Sequence, residues 1–122
     1  MALSKIQAES MNLADTYAFS GTVSGTNIGD GQSWTDVTSS RSANTVYTNS
    51  TGRPIMVSVG LEIAIGSATV NWFYVGSVIV AMIQNTSAEL ATTTSFIVPN
   101  GATYKHQSQS VVPTIRNWSE LS

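Results

Sequence analysis

The sequence predicts an all-β protein, an antiparallel β-sandwich of about eight strands with an N-terminal extended arm. Apolar residues alternate with polar or smaller ones from Ile55 to Ile65. Runs of β-branched and aromatic residues recur at intervals of about 8 to 12 residues, separated by clusters of Gly, Pro, Asn and Ser. No stretch carries a convincing helical period.

Along the chain, a short strand is expected around Trp34–Val37. Thr45–Asn49 is β-branched and aromatic, and Ser50–Pro54 supplies turn chemistry before the next strand, so this region reads as a hairpin. In that next strand Ile55, Val57, Val59, Leu61, Ile63 and Ile65 take one face, with a bend expected at Gly60. Val70–Val75 and Val78–Ile83 form a second hairpin through Gly76-Ser77, because glycine adopts the positive φ that a tight two-residue turn demands. Thr92–Val98 is closed by Pro99-Asn100-Gly101, after which Thr103–Gln107 can pair again, and Thr114–Trp118 is the last run.

The N-terminus reads differently. Leu3, Ile6, Leu13, Tyr17 and Phe19 fit neither period and lie in a segment too short for a core of its own. Residues 1–24 are therefore expected to be an arm that docks on something, with residues 25–122 forming the sandwich.

Charged residues make up 10% of the chain, against about 25% in an ordinary soluble domain. Serine (18), threonine (15) and asparagine (8) take their place, so the surface is hydroxyl and amide rather than ionic. The absence of cysteine excludes a disulfide scaffold and a thiol nucleophile. One histidine, His106, excludes a multi-histidine metal site within one chain, and no metal or cofactor is expected. Five basic residues against seven acidic ones offer no patch for a run of phosphates, so nucleic acid is not an expected partner. The apolar block Val70–Ile83 is shorter than the about 20 residues of a membrane span and is broken by Gly76-Ser77, so no membrane insertion is expected. Nor is an export signal expected at the N-terminus.

Chemistry is sparse. The carboxylates Asp36 and Glu62 lie in no recognisable motif, Asp30-Gly31 with Asp36 lacks a calcium-loop register, and no G-x-S-x-G elbow occurs. No enzyme activity is expected. The aromatics are more informative. Both faces of the Val70–Ile83 block are apolar, whereas a sandwich offers each sheet one core face, so the second face needs a cover. A subunit interface through Trp72, Phe73, Tyr74 and Val80 is the first reading; stacking of Trp or Tyr on a sugar, or a different partner, is the other.

The string GQSWTDVTSSRSANTVYTNSTGRPIMVSV, Gly31 to Val59, resembles a pattern of tailed-bacteriophage tail fibre C-terminal (tip) domains. YVGSVIVA at Tyr74–Ala81, SFIVPNGATY at Ser95–Tyr104 and NWSEL at Asn117–Leu121 are similar to later blocks of that family, in the same order. The opening LSKIQAESMNLADTYAFSGTVSG resembles lead-in segments of phage virion proteins. The chain departs from the pattern in having Gly76-Ser77 where Asn-Gly or Asp-Gly is common, and in the bulk of Phe73–Val75. The resemblance implies a homotrimeric virion protein on a tail fibre or other surface appendage, with no enzyme activity and no cofactor. It also implies attachment to a host cell-surface glycan, with the N-terminal arm joining other virion proteins.

Starting at Met1 without a repetitive shaft, the chain is expected to be a short stand-alone tip or, alternatively, a head-fibre, capsid cement or decoration protein with a purely structural role. In the tip reading, the receptor-binding candidates are Asn100 and, on the strand after the Pro99–Gly101 turn, Tyr104 and His106, which share one face. Trp34 and Trp118 are expected to be structural.

Overall fold

The computed structural model describes residues 27–122. Its strands are β1 (Trp34–Asp36), β2 (Tyr47–Thr48), β3 (Ile55–Ile63), β4 (Thr69–Val75), β5 (Val78–Asn85), β6 (Leu90–Val98), β7 (Thr103–Ser108) and β8 (Thr114–Leu121), with one 3-10 turn at Thr38–Ser40. All pairings are antiparallel, in two four-stranded sheets ordered β1-β8-β3-β6 and β2-β7-β4-β5. The expected sandwich is thus present. The arm expected over residues 1–24 lies outside the described residues.

The alternation that defines β3 sorts its side chains as expected. Ile55, Val57, Val59, Leu61 and Ile63 are buried, and the first four share one core cluster with Phe73 and Tyr104 of the other sheet. Fully burying a side chain of this size stabilises by about 1.5–3 kcal/mol, so this one strand anchors much of the fold. The alternation continues in the sequence to Ile65, but the strand does not. Ser67 N donates to Ala64 O at 3.2 Å and Gly66 takes φ 81°, closing a turn that leaves Ile65 exposed. The bend expected at Gly60 is a register slip between Gly60 and Leu61 against β8.

The Gly76-Ser77 hairpin forms as expected, pairing β4 with β5, with Gly76 at φ 60°. The first expected hairpin does not form. β2 pairs with β7, and β3 pairs with β6 and β8, so Ser50–Pro54 is a corner that carries the chain from one sheet to the other. The reason is visible at Asn49. Its buried side-chain amide donates to Arg53 O at 2.8 Å and to Val98 O and Pro99 O at 3.1 Å, while its Oδ1 accepts from Thr51 Oγ1 at 2.7 Å. These bonds tie the end of β2 to the Ser50–Pro54 segment and to the Val98–Pro99 end of β6 in the other sheet. Pro99–Ala102 is a second such corner, closed by Ala102 N donating to Pro99 O at 3.1 Å.

Aromatic rings fill the space between the sheets. Phe73 and Phe96 meet at 5.6 Å between centroids, and Tyr47 lies edge-on to Trp118 at 5.9 Å. Trp118 is fully buried, as expected of a structural residue. Trp34 is not: it stands 52% exposed on edge strand β1, opposite Leu121, because β1 pairs on one side only and points this side chain away from the core.

Candidate functional site

The residues that carry the family-like pattern converge on a hydrogen-bonded framework. Glu120 of β8, 7% exposed, accepts from Arg41 through both carboxylate oxygens at 2.9 and 3.0 Å. Its Oε1 also accepts from Tyr104 Oη at 2.7 Å and from Trp118 Nε1 at 3.1 Å. The Arg41 guanidinium lies 4.5 Å from the centroid of the Tyr47 ring. The carboxylate raises the Arg41 pKa further, and burial, with the Glu120 hydrogen bond second, pushes the Tyr104 phenol up, so both groups hold their protons.

Three further bonds tie the first block to the rest. Gln32 Nε2 donates to Pro54 O at 2.8 Å, Trp118 N donates to Thr38 Oγ1 at 2.8 Å, and Arg53 Nη2 reaches the carbonyls of Asn27 and Asp30. Asp36 Oδ1 accepts the hydroxyl of Thr38 at 2.6 Å and its amide at 2.9 Å, which holds the Asp36 carboxyl below its usual range. These polar residues wire the corners of the sandwich together.

The three receptor-binding candidates separate. Asn100 is exposed at the tip of the Pro99–Gly101 turn. Tyr104 and His106 do share a face, but it is the inner one: they are 2% and 0% exposed. A surface saccharide cannot reach them. The pattern Tyr-Lys-His-Gln fixed which residues go together and left open which pair points inward. Lys105 and Gln107, costlier to bury, take the solvent side, with Lys105 Nζ donating to Gln107 Oε1 at 2.6 Å. His106 stacks on Phe73 at 5.1 Å, and its Nε2 meets Asn71 Oδ1 at 2.8 Å. Burial lowers its pKa to about 4, so it is neutral at pH 7. Among the described residues no carboxylate hydrogen-bonds to it.

The interface candidates separate as well. Phe73 is fully buried in the sandwich core and is removed from the outer face by the same alternation that puts Trp72 and Tyr74 on it. Trp72 and Tyr74 are half-buried, and Val80 is 43% exposed. The register sets Met82 opposite Trp72 and Ile79 opposite Tyr74, and these two are 58% and 49% exposed. Neither Ile79 nor Met82 stood out in the sequence. They are three positions apart and face the same way because the register slips between Phe73 and Tyr74, which breaks a strict period of two. Val78 adds to the exposed set, and β5 is the last strand of its sheet, with its outer backbone groups unpaired by another strand among the described residues. Lys105 Nζ stands 4.7 Å from the Tyr74 ring centroid at the border of this patch. The apolar sheet face is thus continuous with the strand edge of β5.

Among the described residues no group of three or more His, Cys, Asp or Glu side chains could hold a metal ion, and no helix is long and apolar enough to cross a membrane. Glu62 of β3 pairs with Arg116 of the neighbouring strand β8 at 3.1 Å, within the sheet that carries Glu120. Compared with known proteins, the chain matches no family model and no curated protein.

Proposed function

We propose that the chain is a structural protein of a phage virion, of the tail fibre tip type, that works as a homotrimer and attaches to a host cell-surface glycan. The observation that carries the assembly is the apolar outer face of β4 and β5 with its open edge. Trp72, Tyr74, Ile79 and Met82 stand at the surface of the single chain, and neighbouring copies around a three-fold axis would cover them. The virion reading is supported by the four blocks that resemble tail fibre tips. The roles of their residues are consistent with it: Asn49, Arg41, Tyr104, Trp118 and Glu120 are fold-defining, so such a pattern would persist while the binding surface varies.

The reading is tested in two steps. Light scattering on the purified chain should give three times the mass of one chain at micromolar concentration, and a single-chain mass overturns the trimer. Purified protein should then compete with the phage for host cells. Absence of competition, together with capsids that become unstable when the protein is deleted, assigns it to the capsid as cement instead.

A further inference from the structure

The outer face of the β1-β8-β3-β6 sheet differs in character from that of its partner sheet. Its register aligns polar side chains in rows: Ser58 lies between Ser119 and Ser95, and two residues on Gly60 lies between Asn117 and Thr93. Adjacent strands stand about 4.8 Å apart, so these groups form a mesh of hydroxyls and amide at the scale of a sugar ring. At Gly60 the face sinks into a depression of about 370 Å³ lined by Gly60, Ala91, Thr92, Thr93, Arg116 and Asn117.

The depression is built around a close fit. A Cβ at position 60 would stand 2.0 Å from Asn117 Oδ1, so the amide lies directly over the glycine backbone and only glycine admits it there. At the rim Arg116 Nη1 meets Glu62 Oε2 at 3.1 Å, with both side chains substantially exposed.

We propose that this depression is a saccharide-binding site taking a neutral, polyhydroxylated ring; the proposal rests on the glycan-attachment reading above and gives it a location. Asn117 is the central group, offering a donor and an acceptor, and the Thr93 hydroxyl and Arg116, which Glu62 holds at the rim, complete the set of partners. The lining selects the ligand class. Arg116 is matched by Glu62, so the site carries no net charge for an anion. Of the apolar residues in the lining, Leu61 is buried and only Ala91 is exposed, so an apolar ligand finds little to bury against. A sugar hydroxyl both donates and accepts, as do the amide and hydroxyls here. Asn117 and Thr93 sit on paired strands, so little ordering is lost on binding. The site is shallow, and repetition in an oligomer compensates for a weak single contact.

The test uses the full-length chain on an array of immobilised neutral and acidic bacterial surface polysaccharides. The wild type should bind neutral polysaccharides, and Asn117→Ala should weaken that binding at least tenfold while mass and melting temperature stay unchanged. Thr93→Val keeps the β-branched shape and removes one hydroxyl; it should weaken binding about threefold and decides the matter if Asn117→Ala does not fold. Wild-type binding that both variants retain in full overturns the site and leaves glycan attachment standing. A wild type that binds no polysaccharide overturns glycan attachment and the site with it.

Discussion

His106 Nε2 lies 2.8 Å from Asn71 Oδ1, and both side chains are completely buried between the sheets. Among the described residues His106 Nδ1 and Asn71 Nδ2 have no partner, so the pair is a polar island held in an aromatic core against Phe73. Such a histidine resists protonation, because the charged form would have to leave water without a compensating carboxylate.

The pH dependence follows with a definite sign. Burial lowers the folded-state pKa from 6.5 to about 4, so the unfolded chain binds the proton more readily. The stability tied to this group is fully present above pH 6.5 and is lost as pH falls towards 4, a change of about 3 kcal/mol. Melting curves between pH 7 and pH 4 should show this loss, and His106→Gln, which keeps a hydrogen-bonding partner for Asn71, should show a smaller one. Equal acid sensitivity in the two proteins would assign the effect to other groups.

Removing the Glu120 carboxylate should damage the fold more than any surface change. Glu120→Ala strips Arg41 of both its carboxylate bonds and leaves the hydroxyl of Tyr104 and the indole N–H of Trp118 unpaired in the interior. Breaking a buried pair in this way costs about 3–5 kcal/mol. Urea unfolding should place Glu120→Ala far below the wild type, while Glu62→Ala, which breaks the exposed pair with Arg116, should fall within about 1 kcal/mol of it. Similar midpoints for both variants would contradict the structural role given to Glu120.

The parts of the fold that could be read from the sequence were those set by local physics. The Ile55–Ile63 alternation and the glycine of the β4–β5 turn state their own structure, since a period of two and a positive φ are properties of a few neighbouring residues. Partner choice was less legible. Ser50–Pro54 suits a hairpin and a sheet-to-sheet corner equally well, and only Asn49 reaching Val98 and Pro99, about fifty residues away, separates them. The candidate site shows the same limit. Trp72 and Tyr74 were found because an apolar run with two greasy faces is visible in one dimension. The inward turn of Tyr104 and His106 was not visible, because it depends on Glu120 and Asn71 from other strands. The depression at Gly60 depends on Asn117 and Thr93, which no spacing connects to it.

The fit between Gly60 and Asn117 should appear as non-additivity. Gly60→Ala places a Cβ 2.0 Å from the Asn117 amide oxygen, so the amide must move. The clash meets the far end of a half-buried side chain, so the cost should be no more than about 1 kcal/mol. In an Asn117→Ala background the clash is absent, and Gly60→Ala should then cost less than half as much. A double-mutant cycle by urea unfolding measures the difference, and additive effects would mean that Asn117 is not seated on Gly60 in solution.

The assembly surface can be separated from the core within one strand pair. Ile79 and Met82 are exposed in the single chain, so replacing both with lysine removes no packing inside the sandwich and should change the stability of the folded monomer by no more than about 0.5 kcal/mol per site. In an oligomer built on this face the same lysines would bury charge beside Trp72 and Tyr74 and block the open edge of β5, where lysine is a common guard against strand pairing. Ile79→Lys with Met82→Lys is therefore expected to give a folded protein with the mass of one chain. Phe73→Lys, one residue from Trp72 but pointing into the core, is expected to unfold the chain outright. If the double lysine variant keeps the wild-type mass while Phe73→Lys unfolds, the sandwich stands but its copies meet on another surface.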